Sequence, residues 1–388
     1  MLIRYSKNAA GKPVKSAEVY TLKEHGIPLE KVDPEAVYIC KRLRQGGYEA
    51  YIVGGAVRDL LNGKVPKDFD IATDAHPRSV KKVLPFSRII GKRFRLVHVY
   101  FPGNKILEVA TFRQGDAGDE ANVFGTMEED VRRRDFTMNA LYYDPKDQYV
   151  IDFVGGYKDI KTKKLVNVIP LEQIFTEDPV RMIRAVKYAT VSGFKIPFQI
   201  QWQIKSKTSL LKEISPSRLT EEFYKILTSG NAGPIFYASL KYKVLESILP
   251  RFALFLKTKE GKGFEKALAE LDHWANTTVE KDRLSSFRLL TIPLLNALDF
   301  SSFATTENFE ELTTEIKNFF KPIVPPNREV DETLRELYKE WNIRAPRKRP
   351  PREHRHSDAE PLTHPSAELE VKKAKKRVRR RKPKPPIL

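Results

Sequence analysis

Cysteine is almost missing from this chain: there is one, Cys40, among 388 residues. A single thiol closes no internal disulfide and supplies no CxxC zinc site, so a disulfide-stapled scaffold is excluded. Cys40 fits a reducing compartment and a place as a small core side chain. Long apolar runs are missing too. No stretch reaches the about 18 residues that mark a membrane-spanning helix. The N-terminal "MLIRYSKNAAGKPVK" has no apolar segment of the kind that marks a secretory signal. The expectation is a cytoplasmic protein with no membrane partner. Neither GxGxxG nor GxxxxGK[ST] occurs, which disfavours a Rossmann dinucleotide site and a Walker phosphate loop.

Acid is in deficit. Lys and Arg number 69 against 50 Asp and Glu, a formal net charge of +19. Such an excess points to an anionic partner through long-range attraction. The segment Ala345–Leu388 holds fifteen Lys or Arg and five Asp or Glu, a net +10, about half of the whole excess. It contains "PRKRPPREHRHSD" and "KKAKKRVRRRKPKPP", with much proline and few large apolar residues. It is expected to be disordered, because it cannot bury enough surface to offset chain entropy. His354 and His356 in "HRH" read as part of that solvated tail rather than as metal ligands.

What the chain does have is organised in two patterns. Residues 1–30 read as a polar leader. "PEAVYICKRLRQGG" has helical spacing and a Gly-Gly stop, "YEAYIVGG" reads as a strand, and "AVRDLLNG" reads as a short helix. "KDFDIATDA" is a second strand, "PRSVKKVLPF" a helix, and "RFRLVHVYFPG" with "NKILEVATFR" a pair of strands turned at Pro102-Gly103. This is an α/β head with a small mixed sheet, over 31–160. From about Ile174 amphipathic helices take over, giving an all-α neck over 161–240 and body over 241–344, before the disordered basic tail of 345–388.

One stretch of the head calls for an explanation: "GGAVRDLLNGKVPKDFDIAT", Gly54 to Thr73. Gly54 and Gly55 follow a strand and open a helix, where backbone approaches a phosphate closely; a structural turn reads the same. Arg58, one turn on, suits a triphosphate oxygen. Asp68 and Asp70 are two apart, so on a strand they share a face while Phe69 and Ile71 share the other. Side-by-side carboxylates cost free energy unless a cation sits with them, and magnesium takes one or two carboxylates plus substrate phosphates. Glu108, a lone acid in the apolar "ILEVATFR", suits a third carboxylate, and equally a strand-end acid paired with Arg113 or a lysine.

These residues carry a resemblance. "GGAVRDLLNGKVPKDFDIATDA", "GKRFRLVHV", "ILEVATFR", "RRRDFTMNALYY" and "EDPVRMIRAVKYA" stand in an order that resembles the class II nucleotidyltransferases of the polymerase-beta superfamily. That group contains bacterial poly(A) polymerase and the CCA-adding tRNA nucleotidyltransferase, and the likeness covers roughly residues 35 to 230. It implies a nucleotidyltransferase fold and transfer of nucleotides from ATP to an RNA 3′ end, with two Mg2+ ions as cofactors. The resemblance makes Asp68 and Asp70 the metal-binding, catalytic carboxylates, with Glu108 or Asp135 as a further one. It makes Gly54, Gly55, Arg58 and Arg134 nucleotide-binding. Asp135 also suits a helix cap, and Asn139, one helical turn on, a brace for that loop.

In "EDPVRMIRAVK", Asp178, Arg181, Arg184 and Lys187 are each three apart and form one slowly drifting helical stripe, which a surface ion-pair ladder would share. The resemblance assigns Asp178 and Arg181 to the incoming base, and Arg184 and Lys187 to the phosphates. A carboxylate that accepts beside a guanidinium that donates suits adenine and cytosine, and opposes guanine and uracil. Between the two enzymes, the CCA-adding pattern has an acid before the arginine of Glu-Arg-x-x-x-Glu, whereas "SPSRLTEEF" has Ser217 before Arg218 and Glu222. That departure, the basic residues Lys92, Arg93 and Arg95 and the Arg-rich tail favour polyadenylation. The alternatives are CCA addition and a catalytically retired RNA-binding protein. The tail is also expected to contact proteins of RNA degradation or processing. Removing residues 345–388 is expected to leave a folded protein whose RNA affinity is lower. The log–log salt slope should fall by about 0.7 to 0.9 for each phosphate the protein no longer engages, as read by anisotropy titrations at several salt concentrations.

Overall fold

Short segments with one buried and one open face build the first half of the chain into a mixed sheet. The computed structural model describes residues 1–7, 11–91, 96–114 and 123–347. Its strands are β1 (Leu2–Lys7), β2 (Pro13–Tyr20), β3 (Ala50–Val53), β4 (Asp70–Thr73), β5 (Ser87–Ile90), β6 (Leu96–Tyr100), β7 (Ile106–Thr111), β8 (Leu141–Asp144) and β9 (Tyr149–Asp152). Among the described residues they form one nine-stranded sheet in the order β1-β2-β9-β8-β3-β4-β7-β6-β5. The β4–β7 pair is parallel, and its register sets Asp70 beside Glu108.

The pleat distributes side chains between two cores. Ile52, Phe69 and Ile71 enter one, while Tyr51, Val53 and Ala72 enter the other. Helix α1 (Pro34–Gln45) covers the first face with Ala36, Ile39, Cys40 and Leu43. Each fully buried Ile or Leu there contributes about 1.5–3 kcal/mol. Asp33 caps the helix by accepting from the Glu35 and Ala36 N–H groups at 3.0 and 3.1 Å, worth about 1 kcal/mol. Cys40 is buried, as its solitary position suggested, and burial pushes its thiol up to about 12.

Residues 1–30 differ from the expected leader. β2 pairs with β9, and β1 closes the sheet edge against β2. β1 carries no buried residue and leaves Leu2, Ile3 and Tyr5 exposed, so no two-faced alternation marks it, and β2 finds its partner β9 about 130 residues away. β5 is likewise unmarked in the sequence: three of its four residues are exposed, and its apolar pattern is too short to register.

Beyond the sheet the chain is helical, and Met1–Ala345 pack as one unit. The helices that bear on the site are α2 (Gly55–Leu61), α3 (Met127–Arg132), α4 (Val180–Ser192), α5 (Phe198–Lys207) and α6 (Pro216–Leu227). Gly193 at φ 68° stops α4 in a left-handed cap. Further helices include Ala232–Lys241, Glu265–Thr277, Arg283–Ala297, Phe309–Phe320 and Asn327–Glu340. Their core is aromatic, with Phe223, Phe236, Phe252, Phe287 and Phe320 fully buried. "AGPIFYASLKYKVLESIL" makes two helices, because Lys243 takes a left-handed φ of 61° between Lys241 and Val244. Among the described residues no helix is long and apolar enough to cross a membrane. The expected disordered tail, from residue 348 on, and Lys92, Arg93 and Arg95 lie outside the described residues.

Candidate active site

A glycine pair and a strand end meet the helical half of the chain across one cleft of about 900 Å³. Gly54 sits at φ 70°, ψ −127°, a conformation that only glycine adopts without strain. A Cβ on Gly54 would lie 3.6 Å from an Arg134 guanidinium nitrogen, and one on Gly55 would lie 3.6 Å from Arg58. The bare backbone of this turn is therefore flanked by two cations. Asp68 and Asp70 line the same cleft, just before β4 and at its first residue. Phe69 and Ile71 between and beyond them are buried, so the expected two-faced alternation is present.

Asp70 bears the electrostatic load. Water reaches its carboxylate, but only through the cleft, and the surrounding protein penalises its charge. That burial, then the charges of Glu108 and Asp68, push its carboxyl up to about 6. Glu108 stands beside Asp70 in register, with His98 Nε2 3.2 Å from its own Oε1. Among the described residues its ion pair is with that histidine, and it is not among the residues lining the cleft. Among the described residues no group of three or more His, Cys, Asp or Glu is placed to hold a metal. Two carboxylates with a deficit of positive charge nevertheless fit magnesium, whose other ligands are commonly phosphates and water.

The opposite wall is a chain of paired charges. Arg58 donates to Asn139 Oδ1 at 2.8 Å, Asn139 Nδ2 donates to Asp135 at 3.2 Å, and Arg184 Nε donates to the other Asp135 oxygen at 2.7 Å. Burial pushes the Asp135 carboxyl up, but the Arg184 charge and hydrogen bond outweigh it and hold the carboxyl below its usual range. Asp135 also accepts from the Phe136 N–H at 2.8 Å. Asn139, expected as a brace, is the link between the Arg58 and Arg184 sides. Tyr188 lies beneath three cations, with Arg58, Arg184 and Lys187 at 5.1, 5.2 and 5.2 Å from its ring centre.

Arg134 is oriented from below. Asp130 on α3 is buried and holds Arg133 at 2.5 Å, Arg134 at 2.9 Å and the Tyr142 hydroxyl at 2.5 Å. Burial raises the Asp130 carboxyl, but the two arginine charges and the tyrosine hydrogen bond bring it down to about 2. Arg134 also donates to the Asn139 carbonyl at 3.0 Å.

The recognition stripe is only partly helical. Asp178 precedes α4 in extended backbone, φ −143°, because the following Pro179 disfavours the helical region for the residue before it. Its carboxylate accepts two hydrogen bonds from the Arg218 guanidinium, at 2.9 and 3.1 Å. Arg181 donates to Glu177 and to the Ile174 carbonyl at 3.0 and 3.2 Å, so it is not paired with Asp178. Lys187, expected to face phosphates, is buried against Glu222 at 2.6 Å. Ser217 shares a hydrogen bond with Ser215 at 3.2 Å.

Comparisons agree with this architecture. Residues 50–166 match the family described as the poly A polymerase head domain, and 193–256 match the probable RNA and SrmB-binding site of polymerase A. Poly(A) polymerase I of Salmonella typhi is 38% identical over 265 residues, 64% of this chain and 57% of that protein. The CCA-adding enzyme of Geobacillus stearothermophilus is 41% identical over 201 residues, 50% of this chain and 49% of the other. Over these residues the chain is similar to bacterial poly(A) polymerases and CCA-adding enzymes. A solved relative is the CCA-adding enzyme of Bacillus stearothermophilus in complex with CTP, 28% identical with a TM-score of 0.52. The match covers 81% of this chain and 85% of that one. The chain spans less than two thirds of the curated poly(A) polymerases it matches.

Two cleft residues, Tyr188 and Lys67, and one buried beneath the cleft, Asp130, were not anticipated as parts of a site. Tyr188 follows Arg184 by four and Lys187 by one, a helical neighbourhood that its place in "IRAVKYA" signals. Asp130 precedes the arginine run by two. Lys67 reaches from the head to the Thr228 and Ser229 carbonyls at 3.4 and 2.8 Å, and burial with the Lys281 charge pushes its ammonium down to about 8. Nothing local marks Lys67, whose partners are about 160 residues away.

The raised Asp70 carboxyl has a stability consequence. A folded value near 6 lies above the ordinary 3.8, so ionisation costs the folded state stability as pH rises between the two. Without divalent metal, Asp70→Asn is expected to raise Tm at pH 8, with the gain shrinking through pH 6 and gone near pH 4. Thermal melts with and without magnesium measure it, and added magnesium should narrow the gap.

Proposed function

We propose that this chain adds AMP from ATP to RNA 3′ ends without a template. The observation that carries the reading is the pair Asp68 and Asp70 beside the bare Gly54–Gly55 turn, in one cleft with a wall of fixed cations. In the reaction the RNA 3′-oxygen bonds to the α-phosphorus, the bond to the β-phosphate oxygen breaks, and pyrophosphate leaves. The hydroxyl proton is released to water. Magnesium held by Asp68 and Asp70, two ions in this reading, supplies charge neutralisation at the triphosphate and a lowered pKa for the attacking hydroxyl.

The chain's own residues do the rest. Gly54 and Gly55 admit the phosphates to backbone contact, and Arg58 and Arg134 meet their charge from either side. Asp135 fixes Arg184 rather than facing a metal, and Glu108 acts on Asp70 through its charge. Asp178, held by Arg218, offers acceptors to the base, and Arg181, held by Glu177, offers donors. Such a pocket leaves buried polar groups unpaired against guanine or uracil, which is worth about 10⁴-fold in discrimination. Lys187 positions Glu222 and the Tyr188 ring.

The domain assignment proposed with this activity is a nucleotidyltransferase head over 31–160, a base-recognising neck over 161–240, and an RNA-binding body over 241–344. A basic tail follows, with a sequence-independent grip on RNA and contacts to RNA-processing proteins. The place of work is the cytoplasm, and the substrates include mRNA. Against a retired scaffold stands the retention of Asp68, Asp70, Asp178 and Arg181 together.

CCA addition is the second reading, favoured by the 41% identity of the Geobacillus enzyme over its shorter match. Ser217 in the acid's place favours polyadenylation. Purified protein with a generic RNA and ATP is expected to give long A-only products that Asp70→Asn abolishes. With a tRNA lacking its 3′ end, ATP and CTP, little ordered addition is expected. Clean termination after C-C-A, with CTP required for the first two steps, would decide for the second reading.

A further inference from the structure

A second concave site lies on the head–neck junction, outside the cleft. It has a volume of about 260 Å³ and is walled by Thr162, Lys163, Lys164, Lys195 and Pro197. Backbone bonds bring its two segments together: the Lys195 N–H donates to the Lys163 carbonyl at 2.8 Å, and the Leu165 N–H donates to the Lys195 carbonyl at 3.0 Å. Three exposed ammonium groups are thereby gathered on neighbouring segments. Lys163 donates to the Asn62 side chain. No carboxylate among the described residues lies within ion-pair distance of any of the three. Gathered like charges raise the free energy unless an anion lies among them.

Immediately after Pro197, helix α5 presents two large rings to water. Phe198 is 76% exposed and Trp202 59% exposed, one helical turn apart. The helix buries Ile200 and Ile204 instead, so these rings serve no packing role. A turn's separation sets their Cβ atoms about 6 Å apart. Exposed aromatic pairs rimmed by cations are the elements with which proteins hold single-stranded nucleic acid, bases on rings and phosphates on ammonium groups.

The position relative to the cleft completes the argument. Asn62, which Lys163 touches, ends α2, the helix that opens at Gly55. Two residues on, Lys64 lines the cleft and donates to the Val191 carbonyl at 2.6 Å. The lysine site therefore adjoins the cleft rim. We propose that Lys163, Lys164, Lys195, Phe198 and Trp202 form a track for single-stranded RNA leading away from the cleft, which holds the nucleotides upstream of the reacting 3′ end. The proposal rests on the reading of the cleft as a site for an RNA 3′ end. Lys195, Phe198 and Trp202 fall within 193–256, and the track extends the RNA grip beyond that segment to Lys163 and Lys164 at the start of the neck.

The test uses the full chain and two labelled RNAs, the trinucleotide A-A-A and an A-rich oligonucleotide longer than the about 4–16 nucleotides that one such groove covers. Phe198→Ala with Trp202→Ala is expected to weaken binding of the long RNA about thirtyfold or more, as the removal of two base stacks implies. Trinucleotide binding and the KM for ATP should not change. Lys164→Gln with Lys195→Gln should lower the log–log salt slope for the long RNA by about 0.7 for each phosphate the variant no longer engages. Long RNA should also quench Trp202 fluorescence. Trp202→Phe should keep the affinity and lose the quench, which guards against a fold defect in the alanine pair. Unchanged long-RNA affinity and slope in both double variants would overturn the track, and would leave the rings to a protein partner. A chain that binds long RNA as described but adds no nucleotide would refute the catalytic reading and leave the track standing.

Discussion

Like charge crowded at one end of the β4–β7 pair is the constraint around which the head is arranged. A parallel register sets Glu108 beside Asp70, and the chain entering β4 sets Asp68 two residues before it. An all-protein solution would neutralise this end with a lysine or arginine, as Arg184 does for Asp135 and Lys187 for Glu222. Asp68 and Asp70 have no such ion pair among the described residues, and Asp70 holds its proton to a higher pH than a free carboxyl. In the proposed reaction, a cation that arrives with the substrate would offset this cost.

The opposite wall solves the complementary problem of holding cations rigidly. Arginines proposed to meet a triphosphate lose pre-organisation if they sweep through solvent. Arg58, Arg134 and Arg184 are each fixed by a buried acceptor: Asn139, Asp130 and Asp135. Removing one partner from such a buried pair leaves the other uncompensated, a loss of about 3–5 kcal/mol. Tyr188 packs beneath Arg58 and Arg184, and Tyr142 beneath Arg134. The head and helical half are joined through these contacts, so the geometry of the site and the packing of the two halves are one problem.

Much of this was legible in the sequence where the pattern is local. The two-residue period of Asp68 and Asp70, the Gly-Gly turn and the nucleotidyltransferase motifs needed no distant partner to be read, and the mixed sheet followed by helices is what they implied. What escaped depends on distance or on a single backbone dihedral. The β1–β2 hairpin closes a sheet edge with β1 open to water, and its partner β9 lies far along the chain. Pro179 takes Asp178 out of the helix, so the regular stripe begins at Arg181, and Arg218 reaches Asp178 from 40 residues away. Asp130 carries no local signal, because an acid before an arginine run reads as a helix-end charge until Tyr142 and Arg134 are seen to close on it.

The central claim is that Asp70 is held beside Asp68 and Glu108 in a like-charge cluster that a divalent cation relieves. Carbon-13 labelling of aspartate carboxyls and an NMR pH titration of the full chain measure this directly, with Asp70→Asn giving the assignment. The account predicts an Asp70 carboxyl titrating near 6 without metal, and falling below the ordinary 3.8 when magnesium and a non-hydrolysable ATP analogue are added. An ordinary value that neither addition moves would contradict it.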